Sequence, residues 1–156
     1  MKIALLFIGK TKKSYVNEGL KIYRDKLNRF CSLDFIILSS IMKKKISVKE
    51  VQKLEGQAIL QRILPSDYVV LLDERGKSFT SLKFAKKVES FLNKSTKRIL
   101  FVVGGAYGFS NEIYNRADEK LSLSSMTFSH QIIRLFFLEQ LYRSFTIINN
   151  TPYHHE

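Results

Sequence analysis

Cysteine occurs once in this chain, proline twice and tryptophan not at all. A lone Cys31 cannot close an internal disulfide and has no CxxC partner, so it reads as a structural thiol rather than a nucleophile. Sparse proline and the absence of Ser/Gly-rich or acidic tracts leave no mark of a linker, a repeat or a disordered tail. No apolar run reaches membrane-spanning length, and the opening MKIALLFIGK is too short, and too poor in small residues after it, for a signal peptide. The expectation is therefore a cytoplasmic protein with no membrane partner. One domain over residues 1–156 follows from the length and the 45% hydrophobic content, and the softest stretch is expected around 39–47.

Acidic residues are scarce in the first third. Residues 1–53 hold 13 Lys/Arg against 4 Asp/Glu, so most of the chain's formal +12 lies there. A surface of that sign suits a large polyanion, nucleic acid before anionic membrane.

Periodicity predicts an alternation of strands and helices. Apolar runs at 2–8, 33–39, 67–73, 98–103 and 120–124 read as strands. Between the first two, Tyr15, Gly19, Ile22, Tyr23, Lys26, Leu27 and Phe30 form a helical stripe. Ser47 with Glu50 is a capping-box pattern opening a helix through Val51, Leu54, Ala58 and Leu64. Thr80 caps a helix that buries Leu82, Ala85, Val88, Phe91 and Leu92, and Ser110 caps a short one ending at Ala117. The last helix, 130–145, is apolar on more than one stripe, and a homodimer interface is the expected use of the excess. This order gives an α/β fold, a parallel sheet with helices on both faces.

Ligands of such sheets sit beyond the carboxyl ends of the strands, which directs attention to FVVGGAYGFSNEI at 101–113. It is not a Walker A loop, because Phe109 and Ser110 follow Gly108 where lysine and a hydroxyl are required. Nor is it a dinucleotide fingerprint, since the glycines are ordered GGxxG after the fourth strand. Gly104 and Gly105 either admit a ligand to the backbone or serve a tight turn. Two more segments, LLDERGK at 71–77 and LSLSSMTFSHQ at 121–131, should reach the same sheet edge. Together they describe a pocket of backbone groups and small side chains with no metal-ligand spacing.

The ordered set GK at 9–10, EG at 55–56, LDERGK at 72–77, GGAYG at 104–108, LSLSSMTFSHQ at 121–131, EQLYR at 139–143 and PYHHE at 152–156 resembles the RlmH family across essentially the whole chain. Members are small SPOUT-class methyltransferases that act on N3 of a pseudouridine in large-subunit ribosomal RNA. The resemblance implies a C-terminal deep trefoil knot around 100–130 and S-adenosyl-L-methionine bent within it. It places the cofactor against Leu72, Gly104, Gly105, Leu123, Ser124, Ser125, Met126, Thr127 and Phe128. It also implies recognition of the target within an assembled ribosome. Two positions depart from the family pattern: Ser129 stands where proline is usual, and Phe109 where leucine is.

Methylating a uracil-type nitrogen requires that its proton be accepted or the resulting anion stabilised. His130, Arg143, Tyr153 and His154 are the candidates. The C-terminal tail of one subunit could complete the site of its partner in a SPOUT-like dimer. Alternatives of other kinds are a catalytically silent ribosome-binding factor and a SPOUT methylase of transfer RNA.

Overall fold

Two of the apolar runs form the middle of the sheet in the computed structural model, which describes residues 2–41 and 45–155. Strand β1, Lys2–Ile8, lies parallel to β4, Arg98–Val103, with Leu5 opposite Phe101. Strand β2, Ser32–Leu38, flanks β1, while β3, Asp67–Ser78, and β5, Glu119–Ser122, complete the order β2-β1-β4-β3-β5, all parallel. Such strands are covered on both faces, so their apolar residues are continuous rather than alternating. Part of the expected soft region, residues 42–44, lies outside the described residues.

Helices α1 (Ser14–Leu27), α3 (Ser81–Leu92) and α5 (Ile132–Ile148) cover one face, meeting Ile3, Leu5 and Phe7 of β1. On the other face, α2 (Val48–Leu60) and α4 (Asn111–Arg116) meet Ala4, Leu6 and Ile8. The period of two along β1 thus divides the core into two layers. The expected caps hold at two helices: Ser47 accepts from the Glu50 amide at 3.1 Å and Thr80 from the Lys83 amide at 3.3 Å. Ser110 occupies the N-cap position of α4, but its hydroxyl makes no cap bond and is buried against Gly56 instead.

Several sequence expectations are corrected. In α1 the sheet-facing residues are Val16, Leu20 and Leu27, whereas Tyr15 and Ile22 are exposed. Gly19 faces α5, where an added Cβ would lie 2.7 Å from Leu135, so the expected stripe followed the helix–helix contact rather than the sheet contact. In α2, Glu55, Gly56 and Ile59 are buried and Leu64 is exposed. The apolar excess of α5 is largely absorbed within the chain: Phe137, Leu138, Leu141 and Phe145 are buried, and the Phe137 ring lies 4.6 Å from that of Phe101. Because α5 packs on the sheet between α1 and α3, only Phe136, 39% exposed, keeps a large outward apolar surface on this helix.

The third strand also runs past its expected end at 73. Leu121 pairs with Leu72 and again with Lys77, so residues 73–76 bulge out of the ladder before β3 rejoins β5. A Cβ at Gly76 would lie 2.6 Å from the Leu121 backbone nitrogen. Only glycine permits that approach, and the bulge it allows aims Asp73, Glu74 and Arg75 into the space above the sheet.

Candidate cofactor cleft and C-terminal cluster

Three segments converge beyond the carboxyl ends of β3, β4 and β5: the 73–76 bulge, the glycine turn at 104–108, and the run 123–130 leading into α5. They enclose a cleft of about 660 Å³, within the range of roughly 300–1,000 Å³ usual for small-molecule sites. Leu72, Gly104, Gly105, Leu123, Ser124, Met126, Thr127, Phe128 and His130 all line it. Ser125 is exposed on the same turn and does not.

The glycines have separate duties. Gly108 has φ +77° and its amide donates to the Gly105 carbonyl at 3.2 Å, so it serves the tight turn. Gly104 and Gly105 matter for space. A Cβ on Gly104 would sit 3.2 Å from the Phe109 ring, and one on Gly105 would sit 2.4 Å from Glu55 Oε2. Phe109, the family departure, is therefore the floor beneath Gly104, buried and edge-on to Tyr114.

Sequence reasoning missed the carboxylates around this turn. Asp73 and Glu74 line the cleft with Arg75. Asp73 accepts from the Tyr114 hydroxyl, and Thr127 donates to Glu74 Oε2 at 2.8 Å, tying the 123–130 run to the bulge. Burial first, then the bond to Asp73, pushes the Tyr114 phenol up to about 12. Glu55 is buried behind Gly105 with Oε2 unpartnered, and desolvation raises its carboxyl above the ordinary range. The EG pair at 55–56 carried the signal, but only the contact with Gly105 and Ser110 gives it meaning.

S-adenosylmethionine fits this donor set. Gly104, Gly105 and Gly108 line the cleft with backbone that a flat ring and a ribose can meet directly, and two carboxylates against one guanidinium suit a sulfonium cation. Ser129, the second departure, supplies what proline could also supply, a rigid start to α5: its hydroxyl accepts from the Ile132 amide at 3.2 Å. His130 faces the cleft with its imidazole pushed below the ordinary range, by burial first and then by the charges of Arg134 and Lys12.

The remaining three candidates are elsewhere, gathered around Glu139. Arg143 donates to Glu139 Oε1 at 2.7 Å and contacts His154 Nδ1 at 3.2 Å. Tyr153 donates to the same Glu139 oxygen at 3.1 Å, lies 3.3 Å from the Tyr23 hydroxyl, and carries the Arg143 guanidinium over its ring. Burial first, then Tyr23 and Glu139, raises the Tyr153 phenol, which removes it as a proton acceptor near neutrality. Arginine can only donate, so His154 Nδ1 accepts and Nε2 carries the proton of the neutral ring. As folded, the Tyr153 hydrogen and two Arg143 nitrogens are committed to Glu139, leaving the His154 Nε2 hydrogen and the remaining Arg143 N–H groups as donors without a partner among the described residues. Glu139 walls a second hollow of about 390 Å³ that shares Leu121, Leu123, Ser124 and Phe128 with the cleft.

Cys31 is half-buried, and desolvation pushes its thiol to about 11, in keeping with an unreactive sulfur. Among the described residues no helix is long and apolar enough to cross a membrane.

A family model described as predicted SPOUT methyltransferase matches residues 1–154. The chain belongs to the SPOUT methyltransferase family. Relatives named ribosomal RNA large subunit methyltransferase H are similar over their full length. The protein of Christiangramia forsetii is 49% identical over 156 residues, 99% of either chain. That of Parabacteroides distasonis is 48% identical over 157 residues, and that of Bacteroides thetaiotaomicron 43%, each covering both chains completely. The five-stranded parallel sheet flanked by helices is the architecture of this SPOUT family chain.

Proposed function

We propose that this SPOUT family chain is a large-subunit ribosomal RNA methyltransferase that uses S-adenosyl-L-methionine and methylates N3 of a pseudouridine in the assembled ribosome. Full-length identity near one half to proteins named for ribosomal RNA methylation is the observation that carries the reading. A cleft with backbone-lined walls and an acidic rim supports it. The ribosome as substrate places the work in the cytoplasm. In keeping with the family, the segment around 100–130 is read as a deep trefoil knot.

When bound, S-adenosylmethionine supplies an electrophilic methyl on a positively charged sulfur. Leu72, Gly104, Gly105 and the run Leu123, Ser124, Met126, Thr127 and Phe128 hold and orient it, with Asp73 and Glu74 as the facing charges. Positioning of this kind accounts for much of the acceleration of an in-line displacement. The target nitrogen gains the methyl and gives up its proton, so the chain's task is to favour the base anion and to receive that proton. Arg143 and the His154 Nε2 hydrogen are suited to that as hydrogen-bond donors to the base oxygens, and Tyr153, its own hydroxyl donating to Glu139, holds the Arg143 guanidinium over its ring. His130, held neutral and bordering the cleft, is the group able to accept the proton.

A homodimer would let the tail cluster of one subunit serve the cleft of its partner. The exposed Phe136 and Phe128 rings, 4.9 Å apart edge to face, offer an apolar surface for it. The function is tested by labelled methyl transfer to ribosomes that lack the modification, followed by nucleoside analysis of the RNA. Label in N3-methylated pseudouridine is the expected result. Equal ribosome binding with and without cofactor, and no transfer, would make the chain a silent binding factor.

A further inference from the structure

The most deeply buried cation among the described residues takes no part in the mechanism above. Arg134 has no exposed surface, yet forms no ion pair among the described residues. Its guanidinium is spent on backbone and hydroxyl oxygens. Nη2 donates to the Ile8 carbonyl at 2.7 Å, Nη1 to the Gly9 carbonyl at 3.0 Å and to Thr11 Oγ1 at 2.9 Å, and Nε to the His130 carbonyl at 2.9 Å. The Phe7 ring lies beneath it at 4.2 Å. Burying an arginine without a carboxylate is costly, and desolvation draws its guanidinium down to about 10. A planar fork with five donors can nevertheless bind several carbonyls of one turn at once, as an ammonium cannot.

What these bonds join is specific. On one side is the turn after β1, which leaves the strand through Gly9 at φ +77° and carries Lys10, Lys12 and Lys13, all exposed. On the other is the start of α5, which follows His130 at the border of the cleft. Gln131 repeats the connection: its Oε1 accepts from the Lys12 amide at 2.8 Å and its Nε2 donates to the Lys10 carbonyl at 3.1 Å. Gln131 and Arg134 thus fix the basic turn to the start of α5 by five hydrogen bonds, while the bond to the His130 carbonyl ties Arg134 to the residue that borders the cleft. None of its three lysines forms an ion pair among the described residues. Tyr15, 59% exposed on the following turn, adds an aromatic face.

We propose that Lys10, Lys12 and Lys13 grip phosphates of the RNA substrate beside the cleft, and that Arg134 is the positioning residue that holds this grip in register with it. The proposal rests on the RNA methyltransferase reading and adds to it a substrate-docking edge. Free lysines neutralise phosphates one by one, and an adjacent exposed tyrosine suits a base rather than a lipid acyl chain. Rigid attachment matters because the target base must arrive at a fixed distance from the cofactor, and a basic turn that moved independently would bind RNA without aiming it.

The test compares Lys10→Gln/Lys12→Gln/Lys13→Gln, Arg134→Lys and Gln131→Ala with the unaltered full chain. The readouts are transfer to hypomodified ribosomes, affinity for a twenty-nucleotide oligouridylate against salt, and cofactor affinity by calorimetry. For the triple variant, KM for ribosomes should rise on the order of tenfold, with kcat and cofactor affinity within about twofold. Its salt slope for oligouridylate should become shallower by about 2. Arg134→Lys should leave the oligouridylate slope intact but raise KM or lower kcat for ribosomes, and should add little when combined with the triple change. Gln131→Ala should act in the same direction more weakly, and serves should Arg134→Lys fail to fold. An unchanged slope and KM in the triple variant would overturn the grip. Loss of stability alone in Arg134→Lys, with the ribosome kinetics of Gln131→Ala unaltered, would overturn the positioning role. Binding to phosphatidylserine vesicles that the triple change abolishes, with oligouridylate binding untouched, would reassign the turn to a membrane. If the unaltered chain transfers no methyl to ribosomes, the functional reading fails, while the oligouridylate slope still decides the grip.

Discussion

The cofactor cleft and the C-terminal cluster are built by opposite means. In the cleft, glycines, small hydroxyl residues and strand ends make a shape, and few charged side chains reach inward. Around Glu139, by contrast, long polar side chains of α5 and the tail are bonded to one another, and shape matters less than the direction of their donors. A bound small molecule is recognised by fit, whereas charge developing on a reacting base is answered by preorganised donors. On the proposed reading, the first region holds the cofactor and the second activates the base.

Backbone crossing at the cleft is where the largest single effect on folding is expected. Gly76→Ala would drive a methyl into the Leu121 backbone, which has no rotamer to yield, and should destabilise the chain by at least about 3 kcal/mol in denaturant unfolding. Gly104→Val is next. It should abolish cofactor binding by calorimetry, but because Phe109 lies beneath Gly104 it should also lower stability. Adding Phe109→Leu should restore the stability and not the binding; recovery of both would make Gly104 a purely structural glycine.

Much of this architecture is legible in the residues. Continuous apolar runs announced β1 and β4, and the caps at Ser47 and Thr80 needed only local chemistry. The helix stripes were less legible, because Val16 and Tyr15 are equally apolar neighbours and only the packing of α5 on Gly19 decides which faces the sheet. Arg134 was invisible for a similar reason: an arginine in an apolar helix suggests a solvent-facing position until Ile8, Gly9 and Thr11 are seen to supply its acceptors. The cleft's small residues could be named from their order along the chain. Their carboxylate rim could not, since it depends on a bulge between two pairings of Leu121.

Phe136→Glu probes whether the two regions cooperate between subunits. The side chain is exposed, so the monomer should keep its stability within roughly 0.5 kcal/mol. Sedimentation should show single chains in place of a dimer, with transfer reduced. The smallest effect concerns His130. Its folded imidazole titrates below its unfolded value, so the unfolded state binds more protons in the interval between them, and stability should rise with pH across it. The unfolding midpoint should fall modestly on acidification below about 6.5, and His130→Gln should flatten that part of the profile.

Division of labour between cleft and cluster is tested most directly by removing Tyr153 to Glu156 and measuring two quantities on one preparation. Cofactor affinity by calorimetry should stay within about twofold, because none of Tyr153, His154 and His155 lines the cleft. Single-turnover methyl transfer to hypomodified ribosomes should fall by roughly 10²-fold or more, the scale of losing positioned donors at a reacting base. Full-rate transfer by the shortened chain, or a parallel loss of cofactor affinity, would contradict the assignment.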